Sequence, residues 1–267
     1  MRRTVVLLSA GALLALGAAS ARAVEATPTC QGLTATVVGT VGTPGDDVIV
    51  GTPGKDTITG LGGNDVICGR ADGDTTDLSD TIDAGDGNDT VYGREGGDTV
   101  TAGNGDDTVY GEAGNDGPIY GGDGNDVIDT ADGNDHNIEG GNGYDTIDTG
   151  AGDDSSIRGG SSVAGGGPAL NDKRDWIKTG DGNDSAVFGD EGNDLIQTGN
   201  DNDTNIRGSN GDDELRLGDG DDQGFGDNGD DFLSGGNGAD YGDGGPGTNQ
   251  CILLETAVNC DSPPPAI

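Results

Sequence analysis

From Gly42 onward the sequence repeats with a period of nine residues, and this period constrains the fold more than any other feature. Successive units read GTPGDDVIV, GTPGKDTIT and GLGGNDVIC, then AGDGNDTVY, GREGGDTVT and AGNGDDTVY. Each unit has a small residue first, glycine fourth, aspartate sixth and an aliphatic residue eighth. A period this short is typical of solenoids, in which each unit stacks on its neighbours.

Composition without this period would favour a disordered chain. The 267 residues include 56 glycines, 3% aromatic residues and 50 acidic residues against 12 basic ones, for a net charge of −38. A chain with so little apolar bulk does not build a conventional layered core. A flexible linker, however, does not need an aliphatic residue at one fixed position. The period therefore indicates a folded array.

Each unit divides into a six-residue turn and a three-residue strand, because glycine tolerates positive φ and aliphatic residues favour strands. Two units per coil would place the aliphatic side chains of opposite walls in one narrow interior. The sequence therefore predicts an all-β fold, a parallel β-roll that winds as a right-handed solenoid around a core one residue wide.

The spacing of the aliphatic residues predicts the register of the coils. Most steps are 19 residues because one unit of each pair has ten, and the extra residue is predicted to bulge one wall from about Gly111 onward. Both columns contain a 30-residue step at the same place, so a loop is predicted near 161–174, with a shorter insertion near 70–79. The predicted columns are Ile128, Ile147, Ile177, Ile196, Leu215 and Leu233 on one wall, and Ile119, Ile138, Ile157, Val187, Ile206 and Phe225 on the other.

The first 23 residues have the features of a signal peptide. Met1-Arg2-Arg3 precede an apolar run, and Ala21-Arg22-Ala23 is a small-x-small cleavage site. The apolar run is shorter than the roughly 20 residues of a membrane-spanning helix, which disfavours a membrane anchor. We therefore expect a Sec-exported, extracellular protein cut after Ala23, without membrane insertion. The mature chain is predicted to comprise an N-terminal cap at 24–41, the roll at 42–252 and a C-terminal cap and tail at 253–267.

Removal of this segment leaves nine basic residues against 50 acidic ones. Such a charge excludes nucleic acid as a partner by repulsion. The four cysteines of an exported chain are expected to form two disulfides, and three pairings are possible. We favour Cys30 with Cys68 and Cys251 with Cys260, because each pair would fasten one end of the array.

The sixth-position aspartates are the candidate metal ligands. Stacking at the strand spacing of about 4.8 Å would make neighbouring carboxylates repel by roughly 3 kcal/mol at an effective dielectric of about 20. A cation is needed between the turns, and Ca²⁺, which accepts six to eight oxygen ligands, suits them better than Mg²⁺. The alternative is that these residues are solvated turn formers. The candidates are Asp47, Asp56, Asp65, Asp80, Asp89, Asp98, Asp107, Asp116, Asp126, Asp135, Asp145, Asp154, Asp175, Asp184, Asp194, Asp203, Asp213, Asp222, Asp231 and Asp240.

From Gly42 to Ile252 the units resemble G-G-x-G-x-D-x-U-x, the nonapeptide of RTX (haemolysin-type) calcium-binding proteins. The resemblance implies several calcium ions, each shared by aspartate carboxylates of stacked turns and carbonyls of the glycine loops. Asn249 replaces aspartate in the last unit, which fits a capping turn. RTX proteins of Gram-negative bacteria usually lack cysteine and an N-terminal signal. We therefore expect Sec export, from a Gram-positive bacterium, and no toxin activity.

The predicted function is calcium binding by a secreted structural or binding module that folds outside the cell. The sequence contains no H-E-x-x-H and no G-x-S-x-G motif, and the single histidine, His136, is expected to be an exposed stack member. An enzyme is therefore not expected. The alternative is a cell-surface adhesin or envelope protein that binds polysaccharide or ice through a partial seventh-position threonine ladder. Its members are Thr57, Thr81, Thr90, Thr99, Thr108 and Thr146.

Overall fold

A computed structural model describes residues 27–73, 78–160 and 174–261. The predicted signal peptide and nearly all of the loop predicted near 161–174 lie outside the described residues. The helices and strands assigned within those ranges are all β-strands. The described residues therefore contain no helix long and apolar enough to cross a membrane. In chain order the strands are β1 (Thr29–Cys30), β2 (Leu33–Thr34), β3 (Val37–Val38), β4 (Val48–Val50), β5 (Thr57–Gly62), β6 (Val66–Cys68), β7 (Thr81–Asp86), β8 (Thr90–Tyr92), β9 (Thr99–Asn104), β10 (Thr108–Tyr110), β11 (Ile119–Asp123), β12 (Val127–Asp129), β13 (His136–Asn142), β14 (Thr146–Asp148), β15 (Ser155–Gly160), β16 (Trp176–Lys178), β17 (Ser185–Glu191), β18 (Leu195–Asn200), β19 (Thr204–Asn210), β20 (Glu214–Asp219), β21 (Gln223–Asn228), β22 (Phe232–Asn237), β23 (Tyr241–Asp243), β24 (Gln250–Ile252) and β25 (Thr256–Val258).

The repeat units form two parallel sheets that face each other. Sheet A has 12 strands, β3 and the even-numbered strands from β4 to β24. Sheet B has 11 strands, the odd-numbered strands from β5 to β25. Each coil contributes one strand to each sheet, so the all-β parallel β-roll with two units per coil is confirmed. Strands β1 and β2 form a separate antiparallel pair.

The core is a single file of aliphatic side chains from each sheet. In sheet A, Val109 pairs with Ile128, which pairs with Ile147, as the spacing predicts. All but two of these side chains are fully buried, Ile82 and Ile147 being 1% exposed. The file of sheet A comprises Ile49, Ile67, Val91, Val109, Ile128, Ile147, Ile177, Ile196, Leu215 and Leu233. The file of sheet B comprises Ile58, Ile82, Val100, Ile119, Ile138, Ile157, Val187 and Ile206.

The predicted place of Phe225 in the core is wrong. Gly224, not Phe225, pairs with Ile206, and Phe225 pairs with the outward residue Arg207. The side chain of Leu217 fills the space that this glycine leaves, since a Cβ on Gly224 would lie 2.9 Å from its Cδ1. Leu217 is itself fully buried. The core beside sheet B therefore continues with a leucine contributed by β20 of sheet A.

The predicted bulge explains this shift of register. Asn137, Ser156, Ala186 and Asn205, the extra residues of four ten-residue units, all have a left-handed backbone with φ between 57° and 60°. Their neighbours His136, Ser155, Ser185 and Thr204 stack in register. The bulged wall is thus confirmed for these coils. It ends after Asn205, because the next unit of this wall returns to nine residues.

Two disulfides fasten the ends of the array, and both predicted pairings are confirmed. Cys30 is bonded to Cys68, and Cys251 to Cys260, each pair with a Cα separation of 5.7 Å. The first disulfide packs with Val50 in a small buried cluster outside the main core. Each bond thus ties a terminal segment to a strand of sheet A, since Cys68 lies in β6 and Cys251 in β24.

Replacement of Leu217 by alanine should lower the free energy of unfolding by about 2 to 5 kcal/mol, because the residue fills the hole above Gly224. Urea unfolding of the two proteins in calcium would measure the difference. Leu33→Ala, at a side chain 48% exposed, is the matched control and should cost far less. Equal losses for the two variants would contradict the assigned packing of Leu217.

Candidate metal site

Two columns of buried aspartates run along the two edges of the roll, with one residue per coil in each. Every one of the 20 predicted aspartates lies in a column, and none is more than 9% exposed. Column A comprises Asp47, Asp65, Asp89, Asp107, Asp126, Asp145, Asp175, Asp194, Asp213 and Asp231. Column B comprises Asp56, Asp80, Asp98, Asp116, Asp135, Asp154, Asp184, Asp203, Asp222 and Asp240. The sixth-position aspartates are therefore not solvated turn residues.

One oxygen of the aspartate side chains joins successive coils. The backbone N–H of Asp107 donates to Oδ1 of Asp126 at 2.9 Å, and the N–H of Asp126 donates to Oδ1 of Asp145 at 2.8 Å. The same bond recurs along both columns at 2.7 to 3.0 Å. It uses a short side chain with an acceptor oxygen, which explains why this position tolerates little variation.

The second oxygen is left without a hydrogen bond in half of the column residues. Within the described part of the chain, ten Oδ2 atoms are buried and accept no hydrogen bond. A buried polar atom without a partner costs about 1 to 3 kcal/mol, and more when it is charged. The ten atoms belong to Asp65, Asp89, Asp107, Asp116, Asp126, Asp203, Asp213, Asp222, Asp231 and Asp240.

Backbone carbonyl oxygens approach these carboxylates closely at the corners whose first position is glycine. A Cβ built on Gly121 would lie within 3.0 Å of both Oδ2 of Asp126 and the carbonyl oxygen of Gly140 in the next coil. A Cβ on Gly226 would meet Asp231 and Gly244 in the same way. The two kinds of oxygen thus converge on one point between successive coils. All-oxygen donor sets of carboxylate and carbonyl are the preferred ligands of Ca²⁺.

The aspartates of the first coil differ from the rest. Oδ2 of Asp47 accepts the N–H of Thr43 at 2.6 Å and its hydroxyl at 2.8 Å. Thr52 makes the same pair of bonds to Asp56, at 2.6 and 2.9 Å. The hydrogen bonds of Thr43 hold the pKa of Asp47 below its usual value. These two carboxylates are therefore stabilised without a cation.

Burial raises the pKa of the interior carboxyls. Hydrogen bonds oppose this rise, and neighbouring carboxylates of the same edge add to it in most cases. The pKa is raised to about 7 for Asp107, Asp116, Asp126, Asp154, Asp203 and Asp213, and to about 6 for Asp65, Asp222 and Asp231. A bound divalent cation would favour the ionised forms instead.

Both columns end on a residue other than aspartate. Oδ1 of Asn249 accepts the N–H of Asp231 at 2.8 Å, and its Nδ2 donates to Gly245. Oε2 of Glu255 accepts the N–H of Asp240, also at 2.8 Å. Asn249 is thus a neutral cap, as predicted. Glu255 was not predicted, because it lies beyond the last recognisable unit.

A second side-chain ladder, on the exposed side of the turns, was also missed. It uses the fifth position of the repeat, where the residue type varies. The N–H of Asn88 donates to Oδ1 of Asn64 at 2.8 Å, and the N–H of Asp106 donates to Oδ1 of Asn88 at 3.1 Å. The excess of asparagine and aspartate at this position was the available signal. These residues stabilise the turns from outside.

Carboxylates by themselves do not form a metal site. Among residues 27–73, 78–160 and 174–261, no three acidic, histidine or cysteine side chains are placed to hold one ion. Any cation in a column must therefore take backbone carbonyls as further ligands. The arrangement at Gly121 and Gly226 provides such carbonyls, so the residues present fit calcium.

A parallel β-solenoid with carboxylates turned inward at its edges is a structural calcium-binding fold. The family model described as the RTX calcium-binding nonapeptide repeat (4 copies) matches residues 41–76, 75–100, 83–117, 119–136, 137–161, 171–204, 186–215, 198–233 and 218–251. The chain belongs to this family, and its repeats indicate calcium binding. The comparison with curated proteins finds no match.

Without metal, the roll should lose stability as the pH rises from about 4 to 7. The folded carboxyls with pKa values of about 6 to 7 bind protons more tightly than an unfolded aspartate, whose pKa is 3.8. A raised folded pKa favours the folded state at low pH, and this advantage is lost as the groups ionise. Urea midpoints in calcium-free buffer at pH 5 and pH 8 would measure it. Saturating calcium, which binds the ionised form, should weaken or reverse the trend. A calcium-free midpoint that is constant or rises with pH would contradict the assignment.

Proposed function

We propose that this protein is a secreted structural module that folds on calcium outside the cell and has no catalytic activity of its own. The observation that carries the proposal is the row of buried Oδ2 atoms, such as those of Asp126 and Asp231, that have no hydrogen bond and face backbone carbonyls. A protein stable without metal would not retain so many.

Basic side chains in the described ion pairs contact acids other than the column aspartates. Arg158 pairs with Asp190, Lys178 with Asp148, and Arg207 with Asp227, each at 2.7 to 2.8 Å. These acids lie outside the columns, and the six side chains are 21 to 44% exposed. Divalent ions would offset the repulsion between the stacked carboxylates once these are ionised.

In this proposal Asp126 and the carbonyl of Gly140 belong to one site, and Asp231 and the carbonyl of Gly244 to another. When bound, calcium would supply positive charge to the ionised carboxylates and a partner to Oδ2. The protein's own part is to hold the oxygens in register through the Oδ1 bonds between coils. Because each aspartate lies between two neighbours, loading of one site should favour loading of the next.

Calcium would then make folding depend on whether the chain is inside or outside the cell. A ligand that binds only the folded state stabilises that state by about 2.7 kcal/mol per site when the free ligand concentration is 100 times the dissociation constant. Low calcium inside the cell would leave the strongly anionic chain loose, and high calcium outside would fold it. Residues 1–23 support export, and two disulfides fit an oxidising compartment.

The threonine ladder gives little support to the adhesin alternative. Thr57, Thr81 and Thr99 stack on sheet B, and Thr90 stacks on Thr108 on sheet A. The run on sheet A ends there, since Thr108 is followed by Val127. The run on sheet B ends at Thr99, because the pairing of β9 with β11 begins at Val100 and Ile119. We therefore propose no glycan or ice ligand for these walls.

Circular dichroism of the mature chain should show a cooperative gain of β signal on titration with millimolar calcium and little gain with magnesium. A spectrum that is unchanged by exhaustive chelation would contradict the proposal.

The matched variants are Asp126→Asn and Asp106→Asn, of which only the first changes a column residue. Asn249 shows that asparagine fits the column, so Asp126→Asn should make the calcium-free chain more stable and weaken calcium binding. Asp106→Asn, at an exposed side chain, should change little.

A further inference from the structure

Three corners of column B are built differently from the others. The first position of their units is threonine instead of glycine or alanine, and the hydroxyl donates to Oδ2 of the aspartate five residues later. Both side chains of each pair are fully buried. We call these pairs the threonine corners. They are Thr130 with Asp135, Thr149 with Asp154, and Thr179 with Asp184.

The opposite edge of the same coils has open corners. There Gly121 and Gly140 take the first position, and a Cβ on either would lie within 3.0 Å of a carboxylate oxygen and of a carbonyl oxygen from the next coil. The Oδ2 of Asp126, beside Gly121, accepts no hydrogen bond. One coil therefore carries an open corner on one edge and a threonine corner on the other.

The threonine hydroxyl contacts the same kinds of oxygen that converge on the space in an open corner. Besides the carboxylate, the hydroxyl of Thr130 lies 3.3 Å from the carbonyl oxygen of Thr149, and that of Thr149 lies 3.4 Å from the carbonyl oxygen of Thr179. Its proton gives the buried Oδ2 a partner, and its methyl group and Cβ fill the corner. A neutral donor thus supplies the partner that Oδ2 lacks in an open corner.

The interruption has defined limits in column B. In the preceding coil Gly111 holds the first position, and Oδ2 of Asp116 accepts no hydrogen bond. In the coil that follows, threonine again takes the first position, and Thr198 lies close enough to Asp203 to lower the pKa of that carboxyl. Its hydroxyl, however, donates to the carbonyl oxygen of Leu217 at 2.8 Å, so its one proton is not directed at Oδ2 of Asp203. Three consecutive corners of column B are thus distinguished by a hydrogen bond from threonine to Oδ2 of aspartate.

We propose that the three threonine corners do not bind calcium, because the threonine hydroxyl takes the place of the ion. This inference rests on the proposed function. Calcium then loads the two edges unequally, because column B has a gap of three sites in its middle, whereas every unit of column A has glycine or alanine at its first position.

The test counts calcium ions bound per chain, by equilibrium dialysis against radioactive calcium and by native mass spectrometry. In the variant Thr130→Gly/Thr149→Gly/Thr179→Gly the corners become open, and about three additional ions should bind. The matched control, Thr130→Ser/Thr149→Ser/Thr179→Ser, keeps the hydroxyls and should bind the wild-type number. An unchanged number in the glycine variant would overturn the inference, and a smaller number would make the hydroxyls ligands.

A converse variant keeps the test decisive if the triple glycine variant fails to fold. Ala102, which is fully buried, takes the first position of the unit whose sixth residue is Asp107, and Oδ2 of Asp107 has no hydrogen bond. Ala102→Thr should build a fourth threonine corner and remove about one ion. If it binds as many ions as the wild type, the inference fails while the proposed function stands. If no variant and not even the wild type binds calcium, both fail.

Discussion

The repulsion between stacked, buried carboxylates is the constraint on which the rest of the structure depends. The Oδ1 bonds between coils hold Asp107 and Asp126 in the same column, so the chain cannot separate the charges without unstacking. The core offers little to offset this cost, because each coil buries only two aliphatic side chains. Folding and metal binding are therefore coupled in this protein. Geometry that would destabilise an ordinary domain creates the binding sites.

Much of the fold could be predicted because its determinants are periodic. A fixed aliphatic position specifies the core files, and a fixed aspartate position specifies the columns, so register followed from counting. The error at Phe225 arose where the period itself changed: the bulge ends after Asn205, and an aromatic residue one place from Gly224 looked like a better core residue than glycine. The compensating side chain, Leu217, takes the first position of its unit, which elsewhere holds glycine, alanine or threonine.

Features that depend on contacts between units were harder to predict. Glu255 ends column B from a segment with no repeat pattern, and its role is visible only once the coils are stacked. The threonine corners had a sequence signal, since Thr130, Thr149 and Thr179 recur at one position. That position was read only as small. Its chemical role follows from the buried Oδ2 that it faces, which spacing alone does not reveal.

The direction of the Oδ1 bonds makes the array polar from end to end. Each aspartate gives its N–H to the coil that follows, so a roll cut at any coil leaves carboxylates at one end and unbonded amides at the other. Carboxylates exposed by a cut at the N-terminal side are readily hydrated, whereas the amides left by a cut at the C-terminal side lose the acceptor that closes their turn. Since a polypeptide is made from its N-terminus, the aspartate N–H of each coil has no acceptor until the next coil has been synthesised. Asn249 and Glu255, which are synthesised last, accept the final N–H groups of column A and column B.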